Sequence, residues 1–284
     1  MEESLTFPSC SKDEIIEKQV IEQSSESEVE PSSEDEDTKQ IDVDFEFYDV
    51  NKNDFHSVKN FLNVLLAWKP NNQFNTSDIA DMLVSEGYPF GITVKVDGEH
   101  SDPFSITTCI RIGRKSKASF EVVKSCHSLI SDEKMKKKFK EIIEGKELAW
   151  LINERIINVP GAVSVPLFKF IADEVEGEEK PIDYLLLMSS TYREVASDLD
   201  AELGIENPPV DPTLYYYKEE EEVFEKYAEF YWRFDVPESE STHDSKRAFT
   251  ENSISVGRTF FVIATSQLRK AIQSIESLYN KSNN

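Results

Sequence analysis

Residues 183–190 read DYLLLMSS, with apolar side chains at consecutive positions. Successive side chains of a strand point to opposite faces, so such a run has to be covered on both. A chain with that strand at its centre needs helices above and below a sheet, which defines an α/β fold. A second run, IDVDFEF at residues 41–47, alternates instead. Ile41, Val43, Phe45 and Phe47 form one apolar face, and Asp42, Asp44 and Glu46 an acidic one. Period two predicts a half-buried strand, and its outward acids suit the edge of a sheet.

The remaining elements follow from periodicity and caps. Phe55, Val58, Leu62 and Leu65 recur at helical spacing, with Asn51 or Asn53 as cap. A second helix runs through Ile79, Met82 and Leu83, started by Thr76 or Ser77 and ended at Gly87. Strands are expected over Gly91–Val96 and Phe104–Ile112, joined through Asp97-Gly98. Met135, Phe139, Ile142 and Ile143 share one helix face, LAWLI (148–152) reads as a buried strand ended by Pro160, and Leu167, Phe168 and Ile171 mark a short helix. Residues 198–212 form a Pro-rich loop; TLYYYKEEEEVFEKYAE predicts an acidic helix leading into the strand AEFYWRFDV. Residues 237–253 are a polar loop, followed by a strand over Thr259–Ala264 and a helix on Leu268, Ile272, Ile275 and Tyr279, capped by Ser266. The order is β-α-α-β-β-α-β-α-β-α-β-β-α. It implies one α/β domain over residues 41–280, with a mixed central sheet and helices on both faces.

Residues 1–40 differ in kind. They carry 13 acidic and 3 basic side chains, and SSESEVEPSSEDED at 24–37 lacks any cation. Too little apolar surface is present to offset the entropy of ordering, so a disordered acidic tail is expected. Of the formal net charge of −24, the tail holds −10. A surface of that sign repels nucleic acid and anionic membranes and draws in basic proteins. Glu34, Asp35, Glu36 and Asp37 in the tail and Glu219, Glu220, Glu221 and Glu222 in the acidic helix are the candidate partner-binding residues. For the second group the alternative is a solvated helix face. Ser25, Ser27, Ser32 and Ser33 each precede an acid by three positions, the pattern an acid-directed serine kinase reads.

Chemistry-bearing motifs are absent. There is no GxSxG, no phosphate-binding GxxxxGK[ST] and no GxGxxG. Cys10, Cys109 and Cys126 form neither a disulfide framework nor a zinc pattern, and His56, His100, His127 and His243 have no ligand spacing. No catalytic residue, metal or cofactor is therefore assigned. No run is long and apolar enough to span a membrane, and the N-terminus lacks the features of a signal peptide. Nothing demands a dimer, so a monomer is expected. Lys134, Lys136, Lys137, Lys138 and Lys140, or Arg114, Lys115 and Lys117, are either solvated polar faces or nuclear-import signals.

The element order also resembles that of GNAT-type acetyltransferases. There, a basic glycine-rich turn after the fourth strand, [RQ]xxGx[GA], holds the coenzyme A pyrophosphate at a helix N-terminus. The pattern is missing, and the turn Ser131-Asp132-Glu133 would place two carboxylates where phosphate should lie.

Four segments carry a more specific likeness: SEDEDTKQIDVDFEFYDVNKNDFHSVKNFL, GITVKVDGEHSDPFSITTCIRI, LAWLINERIINVPGAVSVPLF with PIDYLLLMSS, and VGRTFFVI. On these the chain resembles the BCCIP family, which includes the yeast BCP proteins, over roughly residues 33–279. The resemblance implies an acetyltransferase-shaped fold without demonstrated transferase function, in nuclear or shuttling proteins. It implies a chaperone or nuclear-export adaptor for basic clients, among them a large-subunit ribosomal protein. A phosphatidylinositol phosphate kinase and nuclear transport factors are further implied partners. The alternatives are an acetyltransferase-like enzyme and an adaptor for cell-cycle and DNA-repair complexes. Within LINERIINVP, Leu151 and Ile152 are expected to end a strand, Asn153 and Glu154 to turn, and Arg155 to pair with Glu154 or another carboxylate.

Overall fold

The structure is a computed structural model and describes residues 43–68, 74–86, 88, 90–112, 117–195, 213–236 and 254–282. The chain divides into two units, Met1–Asp44 and Phe45–Asn284. The expected acidic tail, with its four candidate serines and Glu34 to Asp37, lies outside the described residues, as do the loops at 198–212 and 237–253.

The second unit is built on one mixed, mostly antiparallel sheet. Its strands are β1 (Glu46–Asp49), β2 (Ile92–Lys95), β3 (Ser105–Arg111), β4 (Leu148–Arg155), β5 (Tyr184–Glu194), β6 (Leu214–Tyr216), β7 (Ala228–Asp235) and β8 (Ile254–Ala264). The order across the sheet is β1-β2-β3-β4-β5-β8-β7, with β6 on the far end of β5. Among the described residues only β4 and β5 pair in parallel, through Leu148↔Tyr184 to Leu151↔Leu187. The expected central strand is β5, and its apolar run alternates between two cores. Leu186 and Met188 face one, Leu185 and Leu187 the other.

Helices α1 (Phe55–Leu65), α2 (Thr76–Leu83), α3 (Lys117–Ser128) and α4 (Glu133–Gly145) supply the first core, with Leu62, Leu65, Ile79, Val122 and Phe139. Helices α5 (Ser164–Gly177) and α7 (Thr265–Ser282) supply the second, with Phe168, Ile171, Leu268 and Ile275. The layers are therefore helix, sheet, helix, as a central strand apolar on both faces requires.

Several local expectations are corrected. Asn75, not Thr76 or Ser77, caps α2: its side chain accepts from the Asp78 N–H at 3.1 Å. Asn51 caps a 3-10 turn, Lys52–Asp54, ahead of α1, and Asp54 Oδ2 accepts from the Asn51 N–H to complete a capping box. Helix α3 was not legible, because its apolar positions Val122, Val123 and Cys126 are diluted by lysine and serine. The stretch at 213–229 is not a helix. It forms β6, a single helical turn α6 (Glu219–Glu222), a 3-10 turn (Val223–Lys226) and the start of β7. Three consecutive tyrosines favour a strand, and β5 offers an edge to pair with. Strand β4 also runs further than expected: Asn153, Glu154 and Arg155 do not turn but pair with Thr107, Ile106 and Ser105 of β3.

Candidate functional site

Asn153, Glu154 and Arg155 put three polar side chains at the end of a strand that is otherwise apolar. Period two sends Asn153 and Arg155 to one face of the sheet and Glu154 to the other. At this level β4 no longer pairs with β5. Their ladder ends at Leu151↔Leu187, while β4 continues along β3 and β5 continues along β8 and β6. Two parallel strands that part at their carboxyl ends leave a crevice, which is where α/β sheets ordinarily take a ligand.

Here the chain's own residues 217–221 fill that crevice. The Tyr217 N–H donates to the Ser190 carbonyl of β5 at 3.1 Å. On the other bank Lys218 donates to the Asn153 carbonyl of β4 and, at 2.7 Å, to the Glu154 carboxylate. Glu221 then bridges the strands: Asn153 Nδ2 donates to its Oε1 at 2.9 Å, and the Ser189 hydroxyl donates to Oε2. Thr107 in turn donates to Asn153 Oδ1 at 3.0 Å, which fixes the amide. One residue earlier, Glu220 accepts from Arg155 and from the Tyr279 hydroxyl of α7, the latter at 3.0 Å. Two backbone carbonyls left by the parting of β4 and β5, those of Asn153 and Ser190, thus find partners within the chain.

The plug is dry. Glu220 and Glu221 have no exposed surface, and Lys218 and Glu154 keep 5% and 6%. Three carboxylates, Glu154, Glu220 and Glu221, face two cations, Lys218 and Arg155. Burial disfavours the charged form of Glu221 more than Lys218, 3.2 Å away, favours it, and its carboxyl is pushed up to about 7. Burial acts to lower Lys218, but the carboxylates of Glu154 and Glu221 outweigh it and hold the ammonium above its ordinary range. Burial and the Glu220 carboxylate push the Tyr279 hydroxyl up.

The expected exposed run Glu219 to Glu222 is therefore corrected. A single helical turn has to turn part of its circumference inward, and it turns Glu220 and Glu221 in; Glu219 and Glu222 stay exposed. Arg155 pairs with Glu220, not with its neighbour Glu154. The turn after the fourth strand is 156–163, not Ser131–Glu133, which lies between α3 and α4. It contains no cation, and a Cβ on Gly161 would stand 2.1 Å from the Tyr279 hydroxyl, so α7 presses against it. Sequence reasoning missed Lys218, Asn153, Ser189 and Tyr279 as partners. The one signal available was a polar trio interrupting an apolar strand.

The other candidates are scattered. The lysines of α4 are surface residues or nearly so, with Phe139 and Ile142 turned inward; Lys138 pairs with Glu229 of β7 at 2.6 Å. Lys117 opens α3, and Arg114 and Lys115 lie outside the described residues. No cluster of histidine, cysteine or acidic residues suited to a metal occurs among the described residues. Cys109 and Cys126 are buried.

Fold and site together define a mixed α/β protein whose inter-strand crevice is closed by an internal ionic plug. The family profile described as BCCIP matches residues 40–224, and the chain belongs to that family. It is 31% identical over 229 residues to Protein BCP1 of Yarrowia lipolytica, covering 75% of this chain and 74% of that protein. Protein BCP1 of Saccharomyces cerevisiae is 28% identical over 208 residues, 68% of this chain and 71% of that one. The crystal structure of BCP1 from Saccharomyces cerevisiae aligns with a TM-score of 0.61 at 22% identity, covering 86% of this chain and 94% of that chain, a likeness of fold.

Proposed function

We propose that this protein is a non-enzymatic binding factor that shields basic client proteins, acting as a chaperone and nuclear-export adaptor. In this reading it shuttles between nucleus and cytoplasm and supports ribosome biogenesis, with a large-subunit ribosomal protein among its clients. A phosphatidylinositol phosphate kinase and nuclear transport factors are further proposed partners, bound by the protein as a monomer. The observation that carries the proposal is the plug. The strand order, with one parallel pair and the last strand β8 inserted between β5 and β7, supports an acetyltransferase-like ancestry. In such a fold the crevice beside the parallel pair would be the place for a cofactor, and here Lys218, Glu220 and Glu221 take the space. A pantetheine chain would have to displace two buried carboxylates and the lysine that pairs with one of them.

What remains for partners is the surface, and its net charge favours basic ones. The test is calorimetry in two arms. Acetyl-coenzyme A is expected to give no heat of binding; micromolar affinity would overturn the non-enzymatic reading. A basic ribosomal protein of the large subunit is expected to bind, and to weaken by about tenfold or more as salt rises to physiological strength. An affinity indifferent to salt would remove electrostatics as the basis of client choice.

A further inference from the structure

Strand β1 ends the sheet, and among the described residues it pairs with β2 alone. The register settles which backbone groups it turns away from β2. Phe104 N–H donates to the Val94 carbonyl at 2.8 Å, so Val94 points its backbone toward β3. Its neighbours Thr93 and Lys95 then point theirs toward β1, opposite Tyr48 and Glu46. The Val50 N–H to the Gly91 carbonyl continues the same phase. The N–H and C=O groups of Phe45 and Phe47 therefore face outward.

The two faces of this edge differ. Phe47 lies opposite Val94 and so on the face of the small core of Ile92, Val94, Val159, Val163 and Leu167. Phe45 packs partly against that core, and Phe47 is 42% exposed. The other face carries Glu46, whose Oε2 accepts from the Tyr48 hydroxyl and the Gly98 N–H, each at 3.0 Å. That second bond brings the β2–β3 hairpin, with exposed Asp97 and Glu99, alongside. Glu46 and Glu99 together raise the Tyr48 hydroxyl, led by its hydrogen bond to Glu46. Among the described residues none of Glu46, Asp97 and Glu99 has an ion-pair partner, and the nearby Lys95 is buried on Asp54 at 2.6 Å.

We infer that β1 is a docking edge that takes an extended segment of a basic partner protein as an added strand. Resting on the reading of basic clients above, this assigns them a place and a pattern. The incoming strand bonds to the outward groups of Phe45 and Phe47. Its side chains alternate, apolar ones meeting Phe45 and Phe47, and lysine or arginine meeting Glu46, Asp97 and Glu99. Charged edges ordinarily prevent sheets from joining, and here two copies of the chain would bring carboxylate against carboxylate. A basic strand turns the same charges into attraction.

The test uses the full chain and two synthetic peptides of about eight residues, one alternating valine and lysine, the other with the same composition in two blocks. Binding is followed by fluorescence anisotropy and backbone NMR. The alternating peptide is expected to shift signals of β1 and the hairpin and to bind at least tenfold tighter than the block peptide. Phe47→Pro removes an outward donor while leaving the inward bonds of Glu46 and Tyr48, as proline at an edge allows. It should cut affinity about tenfold without lowering the melting temperature. Glu46→Gln, which keeps the acceptor for Gly98, should weaken the alternating peptide several-fold and lower the salt dependence. Equal binding of both peptides, or shifts away from β1, overturns the docking edge yet leaves the acidic-surface reading standing. If neither peptide binds at low salt, both fail. If Phe47→Pro alone shifts signals of residues 1–42, or changes sedimentation, the edge is held by the chain itself or a second copy, which also overturns the inference.

Discussion

Glu221 sits where a carboxylate would not be expected, without exposed surface, and two strands depend on it for hydrogen bonds. Its carboxyl is raised from 4.5 to about 7. Between those values the folded protein holds a proton that the unfolded chain has released. Stability from this group therefore falls as pH rises from about 4.5 through about 7, and is level outside that window. Glu221→Gln should flatten the slope, measured as urea midpoints from pH 4 to pH 8. Lys218 answers to a different argument. Truncating it leaves Glu154 and Glu221 buried together without their shared cation, and Lys218→Met should cost about 3–5 kcal/mol in urea unfolding. Among the described residues, replacing Arg155 leaves Glu220 with only the Tyr279 hydroxyl as hydrogen-bond partner, so Arg155→Met should be destabilising in the same way. None of this was legible in the run KEEEE, because identical neighbours carry no mark of which will be buried. Composition reads four glutamates as one surface, whereas the turn they form has an inside.

At the scale of elements, caps and periodicity carried much of the reading. Helices α1, α2, α4, α5 and α7 lie where apolar residues recur at three- and four-residue intervals. Their boundaries depended on which polar residue found a backbone partner. Asn75 illustrates this, since Thr76 beside it is equally suited by type but its hydroxyl donates to Asn63 at 2.8 Å instead. Asn75→Ala should therefore destabilise α2 by about 1 kcal/mol, and Ser77→Ala by much less, in a thermal or urea denaturation series. Helix α3 and strand β6 went unread for opposite reasons. The first has a weak apolar stripe, and the second exists only because β5 outruns β4 and offers a partner to Tyr215 and Tyr216. From sequence β4 ends at Ile152, because Asn153 and Glu154 resemble turn residues. In the fold they pair with β3, and the plug satisfies their side chains.

At the scale of the molecule, helix α7 and the α6 turn act together on the second face of the sheet. Tyr279 packs against Gly161 in the turn after β4 and bonds to Glu220 across it. Gly161→Ala should force the tyrosine away and loosen the plug, visible as faster amide exchange at Lys218 to Glu221 with β1 and β2 unaffected. The sequence by itself determined the layered α/β class, since DYLLLMSS has to be covered on both sides. It determined the near-complete order of elements and the sign of the surface, because periodicity and charge are local properties. It did not determine which acids are surface. Tertiary structure decided that, by parting β4 from β5 beyond Leu151 and Leu187 and leaving backbone groups that needed partners. The physical reason is that burial of a polar side chain is a property of the partner it meets, and for Glu220 and Glu221 those on β4, Arg155 and Asn153, lie 65 and 68 residues away in the chain.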